Sequence, residues 1–152
     1  MAETQPSPRR ARAPRPARIV GYAVAVLVNI GFWLLVNVWP GWEVVPFLTD
    51  DVRRVLGLFT FSVAASIAVN VAFIVYDPRW FKAAGELVVA VIGLALAWRV
   101  MTVFPFDFTG LSYDLTTLAR VVVVLGVVGS AIGVVTNLVS LAREASRAAA
   151  GG

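Results

Sequence analysis

Four stretches of uncharged, mostly apolar residues dominate the pattern of hydrophobic and polar positions along the chain. Three of them hold 22 to 24 residues without a charge, which exceeds the roughly 20 residues that a helix needs to cross about 30 Å of hydrocarbon. A helix is the predicted form, because lipid offers the backbone no hydrogen-bond partners. The predicted spans cover residues 19–39, 55–76, 83–104 and 116–142.

The third stretch is the exception, because only 12 uncharged residues separate Glu86 from Arg99. That length corresponds to about 18 Å of helix at 1.5 Å per residue. The third span must therefore hold Glu86 near one membrane surface and Arg99 near the other. The prolines that follow the N-terminal segment all lie between the predicted spans, which supports the boundaries: they are Pro40, Pro46, Pro78 and Pro105.

Composition agrees with a membrane protein. Hydrophobic residues make up 59% of the chain and charged residues only 14%, where a soluble domain has about 25% charged residues. The chain has no cysteine and no histidine, which excludes disulfides, thiolate chemistry, zinc sites built from these residues and imidazole catalysis. We therefore predict no catalytic residue, no metal ligand and no cofactor.

Residues 1–18 differ from the rest of the chain, since they contain five arginines and four prolines. Closely spaced prolines interrupt helices, and little in the segment is apolar. The segment is predicted to be a disordered cytoplasmic arm that sets topology and contacts anionic lipid headgroups. A basic arm is also compatible with nucleic-acid binding, which is the less favoured interpretation.

The distribution of charge predicts the orientation. With the N-terminus inside, nine basic residues lie on the cytoplasmic side and two in the outer connections, as the positive-inside rule requires. The first stretch is longer than the 7–15 apolar residues of a cleaved signal peptide, so it is expected to be retained. The sequence predicts an all-α, multi-pass protein of the plasma membrane (the inner membrane), with both termini cytoplasmic and a short tail over residues 143–152.

The predicted fold is an antiparallel four-transmembrane-helix bundle with short connections. The two outer connections, residues 40–50 and 105–114, are rich in aromatic residues. Aromatic rings prefer the level of the lipid headgroups. These connections are therefore predicted to form a small aromatic cap over the outer face.

A stripe of small and polar residues follows the fourth span at three- and four-residue steps. Small residues let two helix backbones approach closely in lipid. The stripe either packs against helices of the same chain or forms a homodimer seam. Its central members are Gly126, Gly129, Ser130 and Gly133, and it extends through Thr116, Ala119, Thr136, Asn137 and Ser140.

Three polar residues inside the spans, Asn70, Glu86 and Asn137, are predicted to share one layer in the inner leaflet. Acidic residues within a membrane are candidates for function. Lys82 lies four residues before Glu86 and is positioned to pair with it. Glu86 therefore has three interpretations. It forms a structural ion pair with Lys82, it carries a proton or an ion with a pKa raised by burial, or its side chain simply reaches the interface.

Arg99 and Arg120 are the corresponding residues near the outer surface. Long basic side chains reach to the interface, so both are expected to act as anchors. The alternative is a charge cluster with Asp107 and Asp114 that clamps the outer connections.

Resemblance to a family is carried by three loop strings: WPGWEVVPFLTDD, VYDPRW and VFPFDF. They resemble those of uncharacterised small four-helix membrane proteins of high-GC bacteria, and the twelve-to-one excess of arginine over lysine accords with such a genome. The resemblance covers residues 19–142. It implies the four-helix membrane fold and brings no activity, cofactor or site residue with it.

Three functions are compatible with these observations. The leading hypothesis is a non-enzymatic structural or accessory subunit of a membrane assembly, since the packing faces are strong and catalytic groups are lacking. The alternative is a small oligomeric transporter or channel that uses Glu86 and the asparagine layer. A third hypothesis, an enzyme acting on lipid with Asp107 or Asp114 as the acid, has the weakest support because neither a nucleophile nor a metal-ligand cluster accompanies these residues.

Overall fold

The computed structural model describes residues 12–110, 113 and 115–150, with the side chains of residues 148 and 150 excepted. Within these ranges the chain is helical, and two short 3₁₀ turns, Trp42–Val44 and Asp50–Val52, precede the second long helix. The long elements are all helices, which confirms the predicted all-helical class. Each of the four is long and apolar enough to cross a membrane. They are α1 (Arg15–Asn37), α2 (Arg53–Val75), α3 (Arg79–Val103) and α4 (Thr116–Ala150).

Several helix boundaries differ from the predicted spans; α3, for example, begins at Arg79, four residues before the predicted start. Helix α1 begins at Arg15, so the last four residues of the predicted disordered arm are helical; residues 1–11 lie outside the described residues. Pro16 is tolerated because the first turn of a helix needs no backbone N–H donor. At the other end, α4 continues through most of the predicted tail to Ala150, since alanine is the strongest helix former.

Helices α1 and α2 pack antiparallel along their length. The rings of Tyr22 and Phe73 lie 5.4 Å apart at one end of the pair. At the other end, the rings of Phe32 and Phe59 lie 5.6 Å apart. Edge-on ring pairs of this kind stabilise a packed interface beyond the area that they bury.

Gly85 of α3 packs directly against side chains of α2. A Cβ atom built at Gly85 would lie 2.7 Å from Cζ of Phe73 and 2.9 Å from Cγ1 of Val69. Phe73 is only 3% exposed. Glycine is therefore required at this crossing, because even one methyl group would overlap a buried ring.

Helices α3 and α4 also run antiparallel. Gly133 faces Ala90, whose Cβ would be 3.9 Å from a Cβ at the glycine. The guanidinium carbon of Arg120 lies 5.2 Å from the centre of the Phe104 ring. The pairing therefore extends from the middle of α4 to its first turns.

The four helices do not close into a ring. Among the described residues, extensive contact between long helices is limited to α1 with α2, α2 with α3, and α3 with α4. A cleft of about 330 Å³ lies between α1 and α4, and its lining also includes residues of α2 and α3. The antiparallel arrangement is thus open on one side.

The two outer connections pair with each other, as the predicted cap requires. Leu48 and Phe106 form an antiparallel bridge, and the N–H of Thr49 donates to the carbonyl of Pro105 at 3.1 Å. Residues 111, 112 and 114 of the second connection lie outside the described residues. The rings that stack across this cap belong to Phe47, Phe106 and Phe108.

Candidate functional site

The cleft between α1 and α4 brings together the three polar residues of the predicted inner layer. Asn70 of α2, Glu86 of α3 and Asn137 of α4 all line it, beside Tyr22 of α1. They are the only lining residues with an amide or carboxylate side chain, and the other lining residues are Val69, Phe73, Val89 and Ala90. The cleft therefore presents a small polar patch within an apolar wall.

Glu86 forms the ion pair with Lys82 that the four-residue spacing predicts. The ammonium of Lys82 donates to Oε1 of Glu86. Both side chains are partly exposed, at 31% for Lys82 and 41% for Glu86. The carboxylate that lines the cleft is therefore paired with a lysine that does not itself line it.

The two asparagines differ in how their amides are satisfied. Asn70 donates from Nδ2 to the carbonyl of Ser66, one turn earlier, at 2.8 Å. Asn137 makes no hydrogen bond with any part of the chain that the structure describes. An amide without a partner in an apolar medium costs several kcal/mol. The Asn137 amide is half-buried, and its hydrogen-bonding capacity is not used within the described residues.

The small-residue stripe of α4 is divided between two environments. Gly133 faces α3, and Ser130 is half-buried. A Cβ built at Gly126 or Gly129, by contrast, would meet no atom of another described helix within 4 Å. Within the described structure, Gly133 therefore packs against α3, whereas Gly126 and Gly129 contact no other described helix.

The hydroxyl groups on the open part of this stripe bond within their own helix. Thr136 donates to the carbonyl of Gly133 at 3.0 Å, and Ser140 donates to the carbonyl of Thr136 at 2.9 Å. Such bonds satisfy hydroxyls in lipid without a neighbour. Thr136 and Ser140 therefore leave no unpaired hydroxyl on the open face, and Asn137 lies on it with a polar side chain that no described residue pairs.

The predicted outer charge cluster does not form among its described members. Asp107 accepts hydrogen bonds from the backbone N–H of Thr109 at 2.9 Å and from its hydroxyl at 2.8 Å. These bonds lower the pKa of Asp107 against a small opposing effect of burial. Arg120 lies over Phe104, and Arg99 is exposed without an ion pair to any described residue. Asp114 lies outside the described residues.

A second polar cluster, centred on Asp77 in the connection between α2 and α3, was not predicted. Its Oδ1 accepts from Arg12 at 2.6 Å and from the Tyr22 hydroxyl at 3.1 Å. Its Oδ2 accepts from Nε of Arg18 at 2.7 Å. The carboxylate is only 7% exposed. We refer to this cluster of Arg12, Arg18, Tyr22 and Asp77 as the Asp77 clamp.

One signal in the sequence pointed to this clamp. Asp77 is the only acidic residue in the connection over residues 77–82, and it lies on the side predicted for the arginine-rich arm. An isolated carboxylate beside several arginines is expected to attract one of them. The specific partners could not be read from the sequence, because Arg18 and Asp77 are 59 positions apart.

Comparison with known proteins identifies no relative from which a role could be transferred. No family model matches the chain, and neither a similar curated protein nor a similar solved structure is found. The resemblance carried by the three loop strings stays a prediction. What the chain does must therefore be inferred from the geometry of its own residues.

Proposed function

We propose that this chain is a non-enzymatic accessory subunit of a membrane assembly, and that its open cleft receives a transmembrane helix of a partner protein. The observation that carries this proposal is the unpaired amide of Asn137 in a cleft that α1 and α4 leave open. In lipid, such an amide gains a hydrogen bond by contact with a neighbouring helix. A partner that fills the cleft satisfies it.

The face beside Asn137 suits close contact with a second backbone. At 100° of rotation per residue, Gly126, Gly129 and Asn137 lie within roughly 80° of one another on α4. The two glycines have no neighbour from another described helix. Small residues at a helix surface in lipid allow backbones to approach and associate. Gly133 lies between these residues on the same side of α4 and contacts Ala90 of α3, so the proposed docking surface consists of the two open glycines on one side of that contact and the Asn137 amide on the other.

The same proposal includes the placement of the chain in the plasma membrane. The four helices span it in an up-down-up-down order, with both termini cytoplasmic. The excess of basic residues on the side of the N-terminus supports this orientation. The neutral Lys82–Glu86 pair supports a structural role for the cleft, because a paired charge is not held ready to carry protons.

Site-specific photo-cross-linking in native membranes tests the docking surface. A photoreactive residue at Gly129 is expected to give an adduct with a different protein, at several times the yield obtained from Val128. Val128 is the matched control, since it is the adjacent residue but points about 100° away around the helix. Asn137→Leu is expected to reduce the Gly129 adduct while the isolated chain melts at an unchanged or higher temperature.

Two results of this experiment would contradict the proposal. Equal yields from Gly129 and Val128 would mean that the glycine face meets lipid as the rest of α4 does. An adduct of twice the mass of the chain would identify a second copy as the occupant, and a homo-oligomer would replace the accessory subunit.

A transporter or channel is the second candidate function, because Asn70, Glu86 and Asn137 line one cleft. Its volume of about 330 Å³ accommodates several water molecules at about 30 Å³ each. One chain of four helices leaves little space for a pore, so this function requires an oligomer. Glu86 would then load and release a proton or a cation.

Flux and melting measurements on two variants separate the candidates. For an accessory subunit, reconstituted liposomes show no pH- or ion-driven flux, and Glu86→Gln melts close to wild type because it retains hydrogen-bonding capacity. Glu86→Leu leaves Lys82 unpaired and is expected to lower the melting temperature. Wild-type flux that disappears in Glu86→Gln at unchanged stability would establish the transporter instead.

A further inference from the structure

An apolar cavity lies at the outer end of the molecule, on the opposite side from the polar cleft. It has a volume of about 320 Å³ and lies between α1, α2 and α3, beneath the paired outer connections. No charged or amide side chain lines it, and its walls include Phe32, Phe59, Leu96, Val100 and Phe106. A cavity of about 150 Å³ lined by such residues accepts benzene, so this cavity is large enough for part of an acyl chain.

A polar cleft of about 480 Å³ adjoins this cavity. Trp42 and Leu48 line both spaces, so the two spaces meet at these side chains. The remaining walls of the polar cleft are formed by Glu43, Thr49, Asp50 and Arg53.

The charges of the polar cleft are close to one another but loosely paired. The guanidinium of Arg53 is 3.3 Å from Oε1 of Glu43 and 3.6 Å from Oδ1 of Asp50. It also lies 5.1 Å from the centre of the Trp42 ring. Arginine has five N–H donors, and only the contact with Glu43 is within hydrogen-bonding distance. Arg53 therefore keeps donors free for an anionic group.

Thr49 also lines the polar cleft. Its hydroxyl oxygen is buried and has no hydrogen-bond partner among the described residues. A ligand in the cleft reaches this oxygen only if neighbouring side chains move, so the hydroxyl does not form part of the binding site.

We propose that the cavity and the cleft together bind one phospholipid whose headgroup carries both a phosphate and a primary ammonium. The acyl chain occupies the apolar cavity and passes Trp42. The phosphate accepts hydrogen bonds from Arg53, and the ammonium lies between Glu43 and Asp50. A purely anionic headgroup is disfavoured, because it would place its charge beside two carboxylates.

Lipid retention measures the headgroup selectivity. The full chain is purified in mild detergent, stripped of lipid, incubated with phosphatidylethanolamine or with phosphatidylglycerol, and examined by native mass spectrometry. Phosphatidylethanolamine is expected to be retained as one molecule per chain, and phosphatidylglycerol at least about tenfold more weakly. Equal retention of both lipids, or retention of neither, would overturn the proposal.

Arg53→Gln and Arg54→Gln form a matched pair for the headgroup. Arg54 is adjacent in sequence and equally exposed, but it pairs with Asp51 and does not line the cleft. Loss of a hydrogen bond to a charged group corresponds to about tenfold or more in affinity. We expect this loss of affinity for phosphatidylethanolamine in Arg53→Gln only. An equal loss in both variants would contradict the proposed headgroup site.

Leu96→Trp and Leu27→Trp form a matched pair for the acyl chain. The indole at position 96 fills the cavity, whereas Leu27 is 68% exposed on α1 and lines neither space. Lipid retention is expected to fall at least tenfold in Leu96→Trp and to persist in Leu27→Trp. Retention in a folded Leu96→Trp would overturn the proposal; if that variant does not fold, the exposed Arg53 position still decides it.

Discussion

Replacing Gly85 by leucine is expected to lower the free energy of unfolding by about 3 kcal/mol, the upper end of the usual effect of overpacking. The Cβ alone would lie 2.7 Å from Cζ of Phe73 and 2.9 Å from Cγ1 of Val69. Phe73 is 3% exposed and packs against Tyr22 and Phe81. The rings of Tyr22 and Phe81 restrict its movement, so either α2 and α3 separate or the ring is displaced into the cleft between α1 and α4 that it lines.

Gly93→Leu is the matched control for this prediction. Gly93 lies on the same helix, and a Cβ built there would have no contact within 4 Å. Both variants gain the same helix propensity of about 1 kcal/mol relative to glycine. Thermal unfolding in detergent is the measurement, and equal melting temperatures for the two variants would show that the close approach of α2 and α3 does not limit stability.

Asp77→Asn is expected to release the start of α1 and to destabilise the protein by roughly 2 kcal/mol. The amide cannot sustain two charge-assisted bonds, and removing one partner of a buried pair leaves the other charges uncompensated. Arg12 and Arg18 are 28% and 19% exposed, so water recovers part of the loss. Trypsin cleaves after arginine, and cleavage after Arg18 should accelerate in the variant.

Asp51→Asn serves as the control for the clamp. Asp51 pairs with Arg54 at 3.3 Å, but the two side chains are 48% and 68% exposed. Exposed pairs contribute between 0 and about 1 kcal/mol. Cleavage after Arg18 should therefore match wild type, and equal effects of Asp51→Asn and Asp77→Asn would argue against a clamp.

The Asp77 clamp also predicts how stability depends on pH. Burial raises the pKa of Asp77, but hydrogen bonds from Arg18 and Tyr22 and the charges of Arg12 and Arg18 outweigh it and lower the pKa below its usual 3.8. A lowered pKa in the folded state stabilises the protein above the unfolded value. This contribution is therefore present at neutral pH and is lost as the pH falls below 3.8. Asp77→Asn should be less sensitive than wild type in that range.

Hydropathy alone predicted the four helices, because the length of each apolar stretch overrides local preference. The run of valines at the start of α4, residues 121–124, would favour a strand in water, yet it is helical. The start of α1 could not be predicted in the same way. Residues 15–18 look like a disordered basic arm until Asp77, far along the chain, is brought beside Arg12 and Arg18.

The candidate site was predictable from the sequence where the depth of a residue along its predicted span alone determines which residues lie beside it. Asn70, Glu86 and Asn137 share a depth, and they share a cleft. The outer charges were predicted by the same reasoning, but Asp107 is satisfied within its own turn by Thr109. The depth of a polar residue along its span indicates which side chains are able to contact it. Local hydrogen bonds then decide whether those contacts form.

The stripe on α4 shows a limit of sequence periodicity. At 100° per residue, Gly126, Gly129 and Gly133 share one side of the helix within roughly 60°, but they do not share one contact. Gly133 falls within the contact with α3, whereas Gly129 falls beyond it. Only the position of the neighbouring helix separates the two.

The Asp77 clamp has a consequence for how the chain inserts. Between Arg18 and Asp77 lie two helices that are each long enough to cross a bilayer. Arg18 and Asp77 therefore pair only if both helices have crossed or neither has. A single failed crossing would leave the two charges about 30 Å apart on opposite surfaces. A hairpin with both helices inserted therefore gains an ion pair that a hairpin with a single inserted helix lacks.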